Sequence, residues 1–215
     1  MDSTDNSIIV IDDHPLFRKG VSQLITLDPE LRFAGEASSG KEGVELARRL
    51  QPDLILLDLH MRDMDGIATL RALREAGLDS RIVMLTVSDN AEDLIAAIRA
   101  GADGYLLKDM EPEDLLARIR DALFGRMVIS DSLNGLLAQA LRDEAVATSR
   151  STASLTDREK AILRCLAQGL SNKLIGRELN IAEGTVKVHV KNLLKKLSFR
   201  SRVEAAVWAV GQGLR

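Results

Sequence analysis

Cysteine is almost missing: Cys165 is the only one in 215 residues. A single thiol excludes an internal disulfide framework and any zinc site built from several cysteines. Aromatic side chains are 3% of the chain, so the core has to be built from Leu, Ile, Val and Ala. No apolar run approaches the ~18 uncharged residues of a membrane span. The opening MDSTDNS lacks the basic start and apolar stretch of a secretory signal, so a cytoplasmic protein with no membrane partner is expected. No GxGxxG follows the first apolar run, where the sequence reads DDHPLFRKG, and there is no P-loop. Both common phosphate-cradling glycine loops are therefore disfavoured.

What is present is divided. Residues 1–130 hold 24 acids against 15 bases, whereas residues 151–215 hold 5 acids against 12 bases. An acidic front and a basic back imply two modules with different partners, the second suited to a polyanion.

The first half repeats a short apolar run followed by a helical pattern. The runs are IIVI (8–11), the weaker LRFAGEA (31–37), LILL (54–57), RIVMLTV (81–87) and GYLL (104–107). Nearly continuous apolarity predicts strands buried on both faces of a parallel sheet. Helical periodicity falls near 15–27, 40–51, 66–76, 91–100 and 112–124, so the module is α/β with five parallel strands, doubly wound. This sets a first domain over 1–128. A linker over 129–154 follows, with a short helix expected at 133–145. Four helical stretches at 157–168, 171–179, 183–197 and 201–212 make an all-α domain over 155–215, with Asp157, Ser171 and Ser201 at the N-cap positions.

The charged residues of the first domain cluster at strand ends. The first strand runs into Asp12 and Asp13, the third into Asp58, the fourth into Thr86 and the fifth into Lys108. In an open parallel sheet these ends share one edge, where such folds bind ligands. Three carboxylates held together repel one another unless a hard cation joins them, and Mg²⁺ suits oxygen ligands beside a phosphate. Asp58 on the central strand would be the nucleophile that forms an acyl phosphate. Any one of these acids alone is more simply a helix cap; the coincidence of five such residues at four strand exits is what argues for a site.

IIVIDDHPLFRKG, PDLILLDLHMRDMDG, IVMLTVS and GADGYLLKD resemble the receiver domain of two-component response regulators over about residues 7–125. The resemblance implies a flavodoxin-like fold, with Asp58 accepting phosphate from a sensor histidine kinase. It implies Mg²⁺ held by Asp12, Asp13, Asp58 and the backbone carbonyl of His60. Thr86 and Lys108 would contact the phosphoryl group, and Tyr105 would turn inward as Thr86 moves. Two positions depart from the common pattern, Arg62 and Asp109, where many receivers carry proline. His60 and Ser88 flank the pocket, either tuning hydrolysis or simply facing solvent.

In the second domain, Val186, Val190, Leu193, Leu194 and Leu197 form a buried stripe, and Lys187, Lys191 and Lys195 line another face. Such lysines are often only a solvated face. Here a short helix, SNKLIGRELNI, and a tight connection precede them, the order of a helix–turn–helix whose second helix enters the major groove. Lysine can donate to guanine O6 and N7, and Val188 can meet thymine methyls. Thr185 and His189 are placed for phosphates, and Asn172 and Lys173 for the backbone. LTDREKAILRCLAQGLSNKLIGRELNIAEGTVKVHVKNLLKKL resembles the LuxR-type output domain. The whole chain thus resembles the NarL/FixJ class, nearest its nitrate/nitrite branch. The resemblance implies base contacts from Lys187, Val188 and Lys191. It also implies dimerisation through the last helix at Val203, Ala206, Val207 and Val210, positions that could equally be core.

Cys165 and Trp208 are assigned to packing, Trp208 alternatively to the dimer, and His14 to the helix start beside Pro15. The expected whole is a phosphorylation-controlled transcription factor, not an enzyme beyond slow self-dephosphorylation. In it the acidic receiver hides the recognition helix until Asp58 is phosphorylated. Its expected partners are the kinase, promoter DNA, RNA polymerase and a second copy of itself. Three alternatives stand beside this reading. A phosphatase using Asp12 would want a DxD pair, which adjacent Asp12 and Asp13 do not supply. A relay could use its basic tail on a protein or RNA. The same mechanism could also serve a different sensor and stimulus.

Overall fold

The computed structural model describes residues 6–133, 135, 155–197, 199 and 202–214. Six strands form one parallel sheet: β1 (Ser7–Ile11), β2 (Arg32–Ala37), β3 (Leu54–Leu57), β4 (Arg81–Thr86), β5 (Gly104–Leu107) and β6 (Val128–Ile129), in the order β2-β1-β3-β4-β5-β6. The first five have the flavodoxin-like order, whose switch point lies between β1 and β3. The apolar runs predict five strands. The sixth is two residues long and pairs with Gly104 and Tyr105, too short to show as an apolar run. With it the receiver's sheet continues to Ile129, one residue past the expected boundary, and Leu133 still packs in its core. The linker helix expected at 133–145 falls, apart from Leu133 and Gly135, outside the described residues.

Alternation along the strands explains the two layers. Ile8, Val10, Leu54, Leu56, Val83, Leu85 and Leu106 face helices α1 (Pro15–Thr26) and α5 (Pro112–Leu123). Ile9, Ile11, Ile55, Leu57, Ile82, Met84 and Tyr105 face α2 (Gly40–Leu50), α3 (Gly66–Glu75) and α4 (Ala91–Ala100). Each helix starts where a cap or proline dictates. Ser39, Asp65 and Asn90 accept backbone N–H bonds in the first turns of α2, α3 and α4, and Pro15 and Pro112 open α1 and α5.

The second domain is α6 (Asp157–Ala167), α7 (Asn172–Glu178), α8 (Glu183–Lys196) and α9 (Arg202–Gly211) around a core of Ile162, Leu166, Ile175, Val186, Leu193 and Trp208. The cap of α6 is Thr156 rather than Asp157: Thr156 and Glu159 form a reciprocal capping box, leaving Asp157 in the first turn. Ser171 caps α7 as expected, while Ser201 lies outside the described residues. Cys165 is buried, and Trp208 stacks at a tilt on Phe199, centroids 5.4 Å apart.

The domains meet along α9. Val203 is buried within the receiver's core cluster and Val207 packs on it. Gly125, at φ +86°, lies so close to Ser171 that an added Cβ would come within 2.1 Å of the serine Cβ. Only glycine fits both the backbone and the approach. Beneath this contact Asp103 takes N–H bonds from Ile82, Arg74 and Arg81. Burial pushes its carboxyl up, but Arg74, Arg81 and Arg202 of α9 outweigh it and hold the group down to about 2.

A carboxylate held below its ordinary value of 3.8 adds stability that is present above about pH 4 and lost as pH falls toward 2. About two units corresponds to roughly 2–3 kcal/mol. Urea unfolding of Asp103→Asn is expected to show lower stability at pH 7 and a flatter acid limb, converging on wild type near pH 2. Parallel curves would remove Asp103 from this role.

Candidate phosphoryl-acceptor site and nucleic-acid interface

Asp12 and Asp13 follow β1 and Asp58 follows β3, so the switch point delivers all three to one crevice. Asp12 and Asp58 are buried, 1% and 3% exposed. Lys108, at the end of β5, reaches both: its Nζ lies 2.7 Å from Asp12 Oδ2 and 3.1 Å from Asp58 Oδ2. The ammonium is itself steered from below, 4.6 Å above the Phe17 ring. Gly66, the first residue of α3, lets this helix pack on the Asp58 loop. Its N–H donates to the Leu59 carbonyl, and a Cβ there would stand 2.2 Å from the Asp58 carbonyl oxygen.

The charge balance is incomplete. Burial, then the neighbouring Asp12, raises the Asp58 pKa, against the pull of Lys108 and of the His60 N–H. Asp58 Oδ2 and Asp13 Oδ1 are buried and accept no hydrogen bond, although Lys108 and His14 lie at ion-pair distance. Oxygen atoms of Asp12, Asp13 and Asp58 gather with a His14 nitrogen within 4.8 Å of one another. Two carboxylate oxygens without hydrogen bonds, aimed into one acidic crevice, are the donor set a hard divalent cation takes. The residues fit such an ion.

Thr86 is fully buried, and its Oγ1 accepts the Ser88 N–H and lies 3.5 Å from His60 Nδ1. Tyr105 is also fully buried, its hydroxyl donating to the Ser88 carbonyl at 3.0 Å. Its ring occupies the inward position in this structure. His60 is exposed on the loop after β3, with Nε2 4.0 Å from Asp93. Sequence reasoning placed His14 at the helix start, where it does precede Pro15, but the ring also sits 3.0 Å from Asp13 and 3.4 Å from Asp12. Arg62 stands 3.8 Å from Asp13. Neither contact nor the Phe17 platform follows from local pattern, since each joins separate loops.

In the second domain α7, a four-residue turn and α8 make the helix–turn–helix. Asn180 turns the chain at φ +51°. Val186, Val190 and Leu193 are buried, and Thr185, Lys187, Val188, Lys191 and Lys195 are exposed on α8, Val188 by 58%. His189 is half-buried; Lys173 is exposed and Asn172 half-buried. Lys187 Nζ binds Asp79 of the receiver. The expected hiding of the recognition helix is thus corrected: most of its outer face stays open, and one lysine is tied down. Of the expected dimer positions, Val203 is buried, Ala206 and Val207 are half-buried and Val210 is exposed. All four line a cavity against the receiver.

Two family models together match about four-fifths of the chain. Residues 8–120 match the response regulator receiver domain, and residues 153–209 match the bacterial regulatory proteins of the luxR family. The chain is a two-component response regulator with a LuxR-type output domain. The regulator is 55% identical over 202 residues to the nitrate/nitrite response regulator NarL of Escherichia coli K12, covering 94% of each chain. It is 49% identical to NarP of the same strain over 206 residues, 96% of this chain and 95% of that one. Among solved structures, the response regulator ChrA of a haem-sensing two-component system matches 98% of the regulator and 99% of its own chain, at 32% identity and TM-score 0.50. A LuxR-family regulator from Aurantimonas sp. SI85-9A1 matches 62% of the regulator and 96% of its own chain, at 30% identity and TM-score 0.59. Among the described residues no helix is long and apolar enough to cross a membrane.

The crevice chemistry is directly testable. Replacing Lys108 by Met leaves Asp12 and Asp58 buried without their cation, a loss on the order of 3–5 kcal/mol. The urea midpoint is expected to fall sharply in EDTA and to recover in part with a millimolar divalent cation. No recovery would mean that the carboxylates do not converge on a metal.

Proposed function

We propose that this regulator is a cytoplasmic transcription factor switched by phosphorylation of Asp58 by a sensor histidine kinase. Mg²⁺ would sit on Asp12, Asp13, Asp58 and the His60 carbonyl and neutralise the charge that gathers on the phosphoryl group. Asp58 Oδ2, buried and accepting no hydrogen bond, is the nucleophile. Thr86 donates its hydroxyl, and Lys108 its ammonium, to the phosphoryl oxygens. The chain performs no other chemistry than accepting the group and slowly losing it to water. Its kinship to nitrate/nitrite regulators supports nitrate/nitrite-type control through a partner kinase.

The observation that carries the switch is the tie between Lys187, on the helix that reads DNA, and Asp79 of the receiver. Magnitudes assign the roles. The pair is solvent-exposed and contributes at most about 1 kcal/mol. Burying Val203, and partly Val207, against the receiver contributes roughly 1.5–3 kcal/mol per fully buried valine. The apolar seam holds the closed form, and the lysine pair orients it. Moving a population from ~1% to ~99% open takes about 5.5 kcal/mol, within reach of losing this seam. Phosphorylation replaces the Lys108–Asp58 pair, shifts Thr86 and loosens α4, next to α9. The freed α9 then pairs two output domains through Val203, Ala206, Val207 and Val210. Lys187, Val188 and Lys191 read bases, while Thr185, His189, Lys195, Asn172 and Lys173 hold phosphates. RNA polymerase is recruited to the bound dimer.

DNA binding is measured on specific and scrambled duplexes across a salt series, with and without a small phosphoryl donor and Mg²⁺. Wild type is expected to tighten on the specific duplex with the donor, and Asp58→Ala to ignore it. Asp79→Ala should bind two- to fivefold tighter than wild type without donor, the worth of an exposed pair. Lys187→Ala should lose about 1–3 kcal/mol of base discrimination and about one unit of salt slope. Binding that tracks salt alone and ignores Asp58 would reduce the basic face to a polyanion surface.

A further inference from the structure

The seam between the domains is not fully packed. It leaves a half-open cavity of ≈ 220 Å³ whose walls come from both sides: Gly125 and Met127 from the receiver, and Leu166, Val203, Val207 and Val210 from the output domain. The walls are mostly apolar, but one end is not: Arg81, Asp103 and Arg202 line it. Arg74 binds the same Asp103, so these four side chains carry three positive charges against one negative.

The three guanidiniums are not equally satisfied. Arg74 spreads its donors over Asp103 and the carbonyls of Ser80 and Gly101. Arg81 gives one bond to Asp103. Arg202 gives one to the Leu170 carbonyl. A guanidinium has five donors in a fixed fork, so Arg81 and Arg202 keep donors to spare. Burial, then the nearby Arg81, pushes the Arg202 pKa down to about 10 even beside Asp103.

We propose that this interdomain cavity is a binding site for a small monocarboxylate with an apolar tail, its carboxylate on Arg81 and Arg202 and its tail among Met127, Val203 and Val207. The chemistry excludes other classes. A cation meets two arginines. A bare inorganic anion leaves the apolar walls unfilled. The volume lies below the ~300 Å³ at which drug-sized pockets begin, which limits the tail to about six to eight carbons. Because both domains supply the walls, the complete site exists only when they are closed. A ligand there favours the closed form by mass action, and DNA and ligand oppose each other reciprocally. The site thus adds a second, metabolite-type input to the phosphorylation switch. It rests on the preceding reading only in this last step.

The full chain is titrated calorimetrically with octanoate and phenylacetate, below micelle-forming concentrations, with octylammonium as the charge control. Octanoate is expected to bind once per chain, with a Kd of about 0.1 mM, and octylammonium not to bind. Phenylacetate binding as tightly would assign a short, wide tail space, and weaker binding a long one; both keep the site. Arg202→Gln should weaken octanoate at least tenfold, and Ala206→Leu, which fills the space, should abolish binding. Methyl NMR of the wild type gives a check free of any variant: shifts should centre on Met127, Val203 and Val207. Equal binding of octanoate and octylammonium, or shifts elsewhere, would overturn the site. With the site confirmed, saturating octanoate should weaken specific DNA binding about tenfold. Unchanged DNA affinity would keep the site and overturn the closed-form switch instead.

Discussion

Three carboxylates and one ammonium share the crevice at the switch point of the sheet, and the rest of the receiver is arranged around that conflict. Like charges brought this close cannot be left in a dry interior unless something positive joins them. Lys108 reaches two of the three, at 2.7 and 3.1 Å, and leaves Asp13 to its outer neighbours. The result is a site that holds together yet still has room for more positive charge and for a phosphoryl group. Gly66 and Phe17 belong to the same arrangement: one lets the Asp58 loop be pressed under α3, the other holds the ammonium from beneath. A fully neutralised crevice would be more stable and would have no reason to react.

A second charge cluster lies at the opposite ends of the strands and works differently. Asp103 precedes β5 and gathers Arg74 and Arg81 of the receiver with Arg202 of the output domain. Here the cations exceed the anion. The acidic crevice is short of positive charge; the seam that joins the domains has too much. Each imbalance marks a place where a small charged species can change the energy of the whole.

Much of this was legible in the sequence. The five main strands, the nine α-helices among the described residues and the five strand-end residues all follow from apolar period and from what ends each run, because those signals are local. The missing pieces are non-local. The two residues of β6 carry no pattern and become a strand only because β5 offers a free edge. Nothing near Asp79 in sequence points to Lys187, which lies 108 residues away. Nor does Gly125 show by itself that Ser171 will lie against it. The stripe on α9 is legible as apolar, but periodicity cannot say whether such a stripe meets its own core, another domain or a second copy.

That ambiguity has a physical content of its own. An apolar stripe that serves one surface can be optimised for it, whereas in the switch proposed above α9 would leave the receiver before serving a partner. Its packing against the receiver must therefore be good enough to hide it and poor enough to release it. The observed compromise is specific: Val203 is buried, Val210 remains 43% exposed, and a cavity lies between them and the receiver. A void at an interface forfeits the dispersion contacts its lining would otherwise make, which lowers the cost of separation. The same void, ringed at one end by arginines, is what a small acid could fill. On the proposed switch, imperfect packing at this seam is what would let one helix belong to two interfaces in turn.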